Sequence, residues 1–158
     1  MNRIWVLAAP AFTLALAAAP AQETPAPAPE SPYVGATGCK DCHAKYYDAW
    51  SETKHARSIA HLSADDLQGG RCTPCHATGT PQQIAAEGAT PTLPGIQCEA
   101  CHGPGRAHAD AARAGAPKPG DIVKTPPEKA CTRCHNQNSP HFRPFFYAAL
   151  APLVHKVK

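Results

Sequence analysis

Methionine is all but missing from this sequence, aromatic side chains are scarce and charge is thin. Of 158 residues one is Met, at position 1, while 6% are Phe, Tyr or Trp and 17% are charged. So few aromatics cannot by themselves fill the core of a domain this long. No apolar run makes a membrane span, because the longest, Ile4 to Ala19, is short and broken by Pro10. No Cys stands near the end of that run, which argues against a lipoprotein anchor. There is also no basic stripe interleaved with aromatics, so nucleic-acid binding is not implied.

The first residues are a processing signal rather than part of a fold. Met1, Asn2 and Arg3 lead into the apolar run, which ends in Ala19-Pro20-Ala21, the basic, apolar and small-x-small order of a secretory signal peptide over residues 1–21. Left uncleaved, the same segment would act as a membrane anchor. Residues 22–32 (QETPAPAPESP) are rich in Pro and read as a disordered tether, which leaves residues 33–158 for one domain in an exported, periplasmic protein. Cleavage also removes Met1, so the mature chain has no thioether sulfur to offer a metal.

Eight Cys in an exported chain would ordinarily form disulfides. Their spacing overrules that default. They occur as Cys39-x-x-Cys42-His43, Cys72-x-x-Cys75-His76, Cys98-x-x-Cys101-His102 and Cys131-x-x-Cys134-His135, four copies of the attachment signature of c-type haem. With 9 His in 158 residues, a His after all four pairs arises by chance about once in 100,000. Two thiols at this spacing reach the two vinyl groups on one porphyrin edge, and the His that follows meets the iron as its first axial ligand. Zinc, the competing metal, leaves the four His unexplained.

The motifs begin at 39, 72, 98 and 131, or about thirty residues per haem. Porphyrin then supplies the core that the aromatics do not, and without it no stable structure is expected. Four irons present eight axial positions, the motif His fill four, and His55, His61, His108, His141 and His155 are the candidates for the rest. With no Met, each iron is either bis-His or open on one face. The formal charge of +3 also misleads, since loss of Arg3 leaves 14 basic against 12 acidic residues. Eight propionates take the total to about −6.

The fold class expected is mainly α: short helices and long irregular loops wrapped around four haems. The longest candidate helix is Asp41 to Leu62, free of Gly and Pro. Shorter ones are Gln82 to Glu87 and Arg106 to Ala114, and Pro144 and Pro152 can each open a helix near the end. No alternating stretch reads as a strand.

The blocks GATGCKDCHAKYYDAWSETKHARSIA, RCTPCHATG, GIQCEACHGPGRAH and CTRCHNQNSPHF, in this order, resemble the cytochrome c-554 family of tetrahaem cytochromes. The resemblance implies stacked haem pairs and crossed ligation. It makes His108 the second ligand for the haem of His43, His55 for that of His102 and His155 for that of His135, and it leaves the haem of His76 with an empty face. His61 and His141 match no ligand position of the family and are alternatives for that face. This chain stops three residues after His155, short of the longer C-terminal region of the type member.

The function implied is electron transfer between redox protein partners, a donor and an acceptor, of which one could be a membrane-bound quinol-linked complex. The alternative is a small nitrogen-oxide reductase, acting on nitric oxide, nitrite or hydroxylamine, with the small ligand bound at the His76 haem. The C-x-x-C-K motif that marks the catalytic haem of pentahaem nitrite reductases does not occur.

Overall fold

A computed structural model describes residues 31–67, 70–80, 84, 92–118 and 120–157. The expected signal peptide 1–21, most of the expected tether 22–32 and, apart from Ile84, the expected helix Gln82–Glu87 lie outside the described residues.

The described chain is a set of short helices. The first, α1, runs Gly35–Ser51, and after a 3₁₀ turn at Ser58–His61 come α2 (Ala64–Leu67) and α3 (Thr73–His76). Two short strands follow, β1 (Ala77–Thr78) and β2 (Leu93–Pro94), then α4 (Cys98–His102), α5 (Arg106–Arg113), α6 (Glu128–Thr132), α7 (Tyr147–Leu150) and a last 3₁₀ turn at Ala151–Leu153. No described helix is long and apolar enough to cross a membrane.

Three details differ from the sequence reading. The strands form a small antiparallel ladder, Ala77 opposite Pro94 and Thr78 opposite Leu93, too short to leave an alternating pattern. The long helix lies at 35–51 rather than 41–62. It stops where Thr53 takes over the Trp50 carbonyl, with its own N–H at 2.8 Å and its hydroxyl at 2.7 Å, so the i to i+4 ladder cannot go on. Pro144 opens no helix, whereas Pro152 sits in the first turn of the last 3₁₀ segment, where its missing N–H costs nothing. The helix expected at 106–114 is α5.

Helix α1 cannot cap itself, because Val34 precedes it where Ser, Thr, Asp or Asn would serve. Its first donors are met from far along the chain. Glu99 accepts the N–H of Val34 at 2.9 Å and of Gly35 at 2.7 Å, and the Gln97 side-chain oxygen accepts that of Ala36 at 2.7 Å. The second carboxylate bond of Glu99 oxygen Oε1 comes from Gly105 N–H at 2.7 Å, in the turn after the third motif. Gly103, with φ of +89°, ends α4 there, and a Cβ on Gly105 would stand 3.0 Å from that oxygen. Glu99 thus joins the first motif's helix to the third motif.

The core is small. Among the described residues the buried apolar side chains are Ala36, Trp50 and Ala77, and the buried polar ones are Thr73, Thr78, Gln97 and Glu99. Trp50 is tied at its indole N–H to the carbonyl of Ile96 at 2.8 Å. Phe142, Phe146 and Leu153 are exposed. A polypeptide that buries so little apolar surface cannot offset its own conformational entropy.

Candidate haem-binding sites

Each motif lies on a helix, Cys39 to His43 in α1, Cys72 to His76 on α3, Cys98 to His102 as α4 and Cys131 to His135 at the end of α6. A helical turn sets the two thiols of a pair on one side. At His43 the helix departs from regular geometry, with φ of −122° and ψ of 40°.

The four motifs follow a different order in space from that in sequence. The Cys39 and Cys98 thiols, both free, lie side by side, and their interaction pushes Cys39 up and Cys98 down in pKa. Arg133, inside the fourth motif, donates to the carbonyl of Ala100, inside the third, at 3.1 Å. The Cys134 thiol reaches the carbonyl of Pro74, inside the second, at 3.9 Å. Burial, and then the contact with Cys134, push the Cys75 thiol up to about 11. The spatial order is first, third, fourth, second.

The imidazoles come in pairs. His43 and His108 stand 6.4 Å apart between ring centres with planes 13° from parallel, and His102 and His155 stand 6.1 Å apart at 21°. His55 and His135 are 6.0 Å apart with planes crossed at 69°. Two imidazoles on opposite sides of one iron are about 6.3 Å apart, from metal–nitrogen bonds of about 2.0–2.1 Å and a ring radius of about 1.1 Å. The residues therefore fit the group that the motifs call for. Two of the pairs differ from those that the resemblance implied, since His55 faces His135 instead of His102, and His155 faces His102 instead of His135.

Hydrogen bonds orient the rings further. Nδ1 of His76 bonds the Ser58 carbonyl at 2.8 Å, and Nδ1 of His102 bonds that of Val123 at 2.6 Å, which leaves Nε2 as the free lone pair in each. Ser58 completes the clamp by donating its hydroxyl to the His76 carbonyl at 3.1 Å. Nδ1 of His108 is buried with no partner among the described residues, a polar atom that only a further group would satisfy. Burial, and then the neighbouring His135, hold the His55 imidazole below its usual range, so its neutral, metal-binding form is favoured. His55 and His135 line a cavity of about 260 Å³ with Thr53, Lys54, Leu150, Leu153 and Val154. Phe145 lies against His135, 4.7 Å between ring centres and 19° from parallel. Tyr46 sits edge-on to both His43 and His155, at 6.4 and 5.4 Å, and so spans the first and third sites.

The carbonyl groups of His55 and His76 are both held by the bend after β2. Ile96 N–H bonds the former at 2.9 Å and Gly95 N–H the latter at 3.1 Å. Gly95 has φ of +84°, and a Cβ there would stand 2.6 Å from the Ala56 carbonyl oxygen. Gly95→Ala is expected to destabilise the loaded protein by roughly 2–4 kcal/mol, from left-handed strain and the clash together. A thermal melt followed in the haem absorbance checks this, and an unchanged midpoint contradicts it.

Sequence reasoning missed Glu99, Gln97, Gly95 and the Ser58 and Val123 carbonyls. The signal for Glu99 was present, an acid inside a haem motif followed by Gly103-x-Gly105. The carbonyl partners left none, since any residue has a carbonyl.

Short helices bearing four attachment motifs, with imidazoles paired across iron-sized gaps, define a c-type multihaem cytochrome, a carrier of electrons through covalently bound haem. Residues 38–103, with three of the motifs, match the family described as cytochrome c554 and c-prime. The chain is also similar to reduced cytochrome c554 from Nitrosomonas europaea, at 22% identity over 79% of each chain, with a TM-score of 0.46. No curated protein matches it.

Proposed function

We propose that the chain is a periplasmic electron-transfer protein with four haems, one on each motif, that relays electrons between a donor and an acceptor protein of a respiratory chain. The observation that carries this is the set of three imidazole pairs at 6.0–6.4 Å. Haem iron supplies one-electron chemistry when bound, and His on both faces leaves it no room for a substrate. In this reading His43 and His108 hold the first iron, His102 and His155 the third, and His135 and His55 the fourth. The thioether sulfurs are those of Cys39, Cys42, Cys72, Cys75, Cys98, Cys101, Cys131 and Cys134. Export through the signal at residues 1–21 takes the chain to the compartment where such haem is attached, and a quinol-linked membrane complex is one class of donor.

Mass spectrometry of the mature protein tests the cofactor load. Four haems are expected to survive acid denaturation, with no free thiol. Bound zinc, or haem that extracts into organic solvent, would overturn the reading.

The ligand pairs have their own test. Removing His55, His108 or His155 is expected to turn one haem each from low to high spin by EPR, and His55 the one attached at Cys131 and Cys134. Crossed rings donate into perpendicular iron orbitals and leave them nearly degenerate, whereas parallel rings split them. The signal of largest g anisotropy should therefore vanish in His55→Gly and persist in His108→Gly and His155→Gly. Three variants with the parental spectrum would refute the assignment.

His76 favours a second reading at one site. Among the described residues no second ring pairs with it, and His61 and His141 are both exposed. A small ligand such as nitric oxide could then bind on that side, and a nitrogen-oxide reductase is the alternative function. Nitric oxide added to the reduced protein should perturb one haem, and turnover of nitric oxide, nitrite or hydroxylamine separates reductase from carrier.

A further inference from the structure

Two charged side chains stand at the joints of the first-third-fourth-second series. Glu99, 2% exposed, lies at the joint of the first and third motifs, fixed by its three backbone donors. Its charge acts on the sulfurs of both Cys39 and Cys98. Arg133 lies where the third, fourth and second motifs meet, anchored on the Ala100 carbonyl at 3.1 Å and lining a cavity of about 290 Å³ with Pro74, Ala77 and Glu99. Two acids oppose Arg133: Asp66, 4.0 Å from Cys72, and Glu128, beside Cys131. Both belong to short exposed helices, where water and salt screen them.

An added electron is an added negative charge, which a fixed anion opposes and a fixed cation favours. We propose that Glu99 and Arg133 bias the series in opposite senses, Glu99 lowering the reduction potential at the His43 end and Arg133 raising it at the His76 end. Electrons are then drawn from the first site toward the second. Burial makes Glu99 the stronger of the two, since its field passes through protein rather than water. The proposal rests on the four-haem carrier reading and assigns that carrier a direction.

The test is a spectroelectrochemical titration of the holoprotein as Glu99→Gln, Arg133→Gln and Arg133→Lys, with the haems told apart by their EPR signals. Glu99→Gln is expected to favour reduction of the first and third sites about tenfold, which is 59 mV for a one-electron couple, and to move the second and fourth less. Arg133→Gln should disfavour reduction of the second site several-fold, and Arg133→Lys should restore most of it. No shift, shifts of one sign in both, or shifts spread evenly over all four haems would overturn the proposal. Should Glu99→Gln fail to accumulate, the Arg133 pair decides it. A haem count below four is seen before any potential is measured, and it removes the carrier reading instead.

Discussion

Glu99→Ala is expected to take a large part of the stability out of the holoprotein. The substitution leaves the N–H groups of Val34, Gly35 and Gly105 without their acceptor in a site where Glu99 is 2% exposed. Each buried donor left unmet costs about 1–3 kcal/mol, so the sum is roughly 2–6 kcal/mol even if water reaches one of them. Single domains hold only about 5–15 kcal/mol in all. Denaturant unfolding followed in the far ultraviolet measures the loss, and Glu99→Gln, with one acceptor oxygen left, should fall between variant and parent. A loss below about 1 kcal/mol would show that the carboxylate is not what joins α1 to the third motif.

The second large effect concerns the cofactor. Made where haem is not attached, the chain is expected to be unfolded. Its buried apolar side chains among the described residues are two Ala and one Trp, while Phe146 is 69% exposed and Leu153 55%. Pairs such as His43 with His108 stand 6.4 Å between ring centres, the spacing that an iron between them would set. Small metal sites behave alike, folding only with their metal. Circular dichroism and the dispersion of amide resonances are the measurements, and a cooperative melt of the haem-free chain would contradict the expectation.

How far the site could be read in advance depended on the range of the interactions. Each motif is local, five residues whose spacing meets a rigid ligand, so all eight Cys and four His were legible. The remaining imidazoles are set by tertiary contacts. Elimination of Met and the count of spare His left five candidates, the family resemblance singled out His55, His108 and His155 among them, and the structure brings each opposite a motif His. Which one goes where was not legible for two of them. The position of His55 depends on where α1 stops and on Ile96 N–H holding its carbonyl, 41 positions along the chain. The helical class followed from segments free of Gly and Pro and from the lack of alternating stretches, while the strand pair, two residues on each side, was below what a pattern can show.

The way α1 is capped bears on the timing of maturation. A chain emerges N-terminus first, and a helix start with unmet donors is a poor nucleus. The acceptors for Val34, Gly35 and Ala36 are Glu99 and Gln97, some sixty residues downstream. Until those residues arrive, Cys39 to His43 is loose chain, open to the machinery that joins thiol to vinyl. The third motif, which carries Glu99, supplies acceptors for the segment that bears the first, so a lesion at Glu99 is expected to leave the earliest motif exposed for longest.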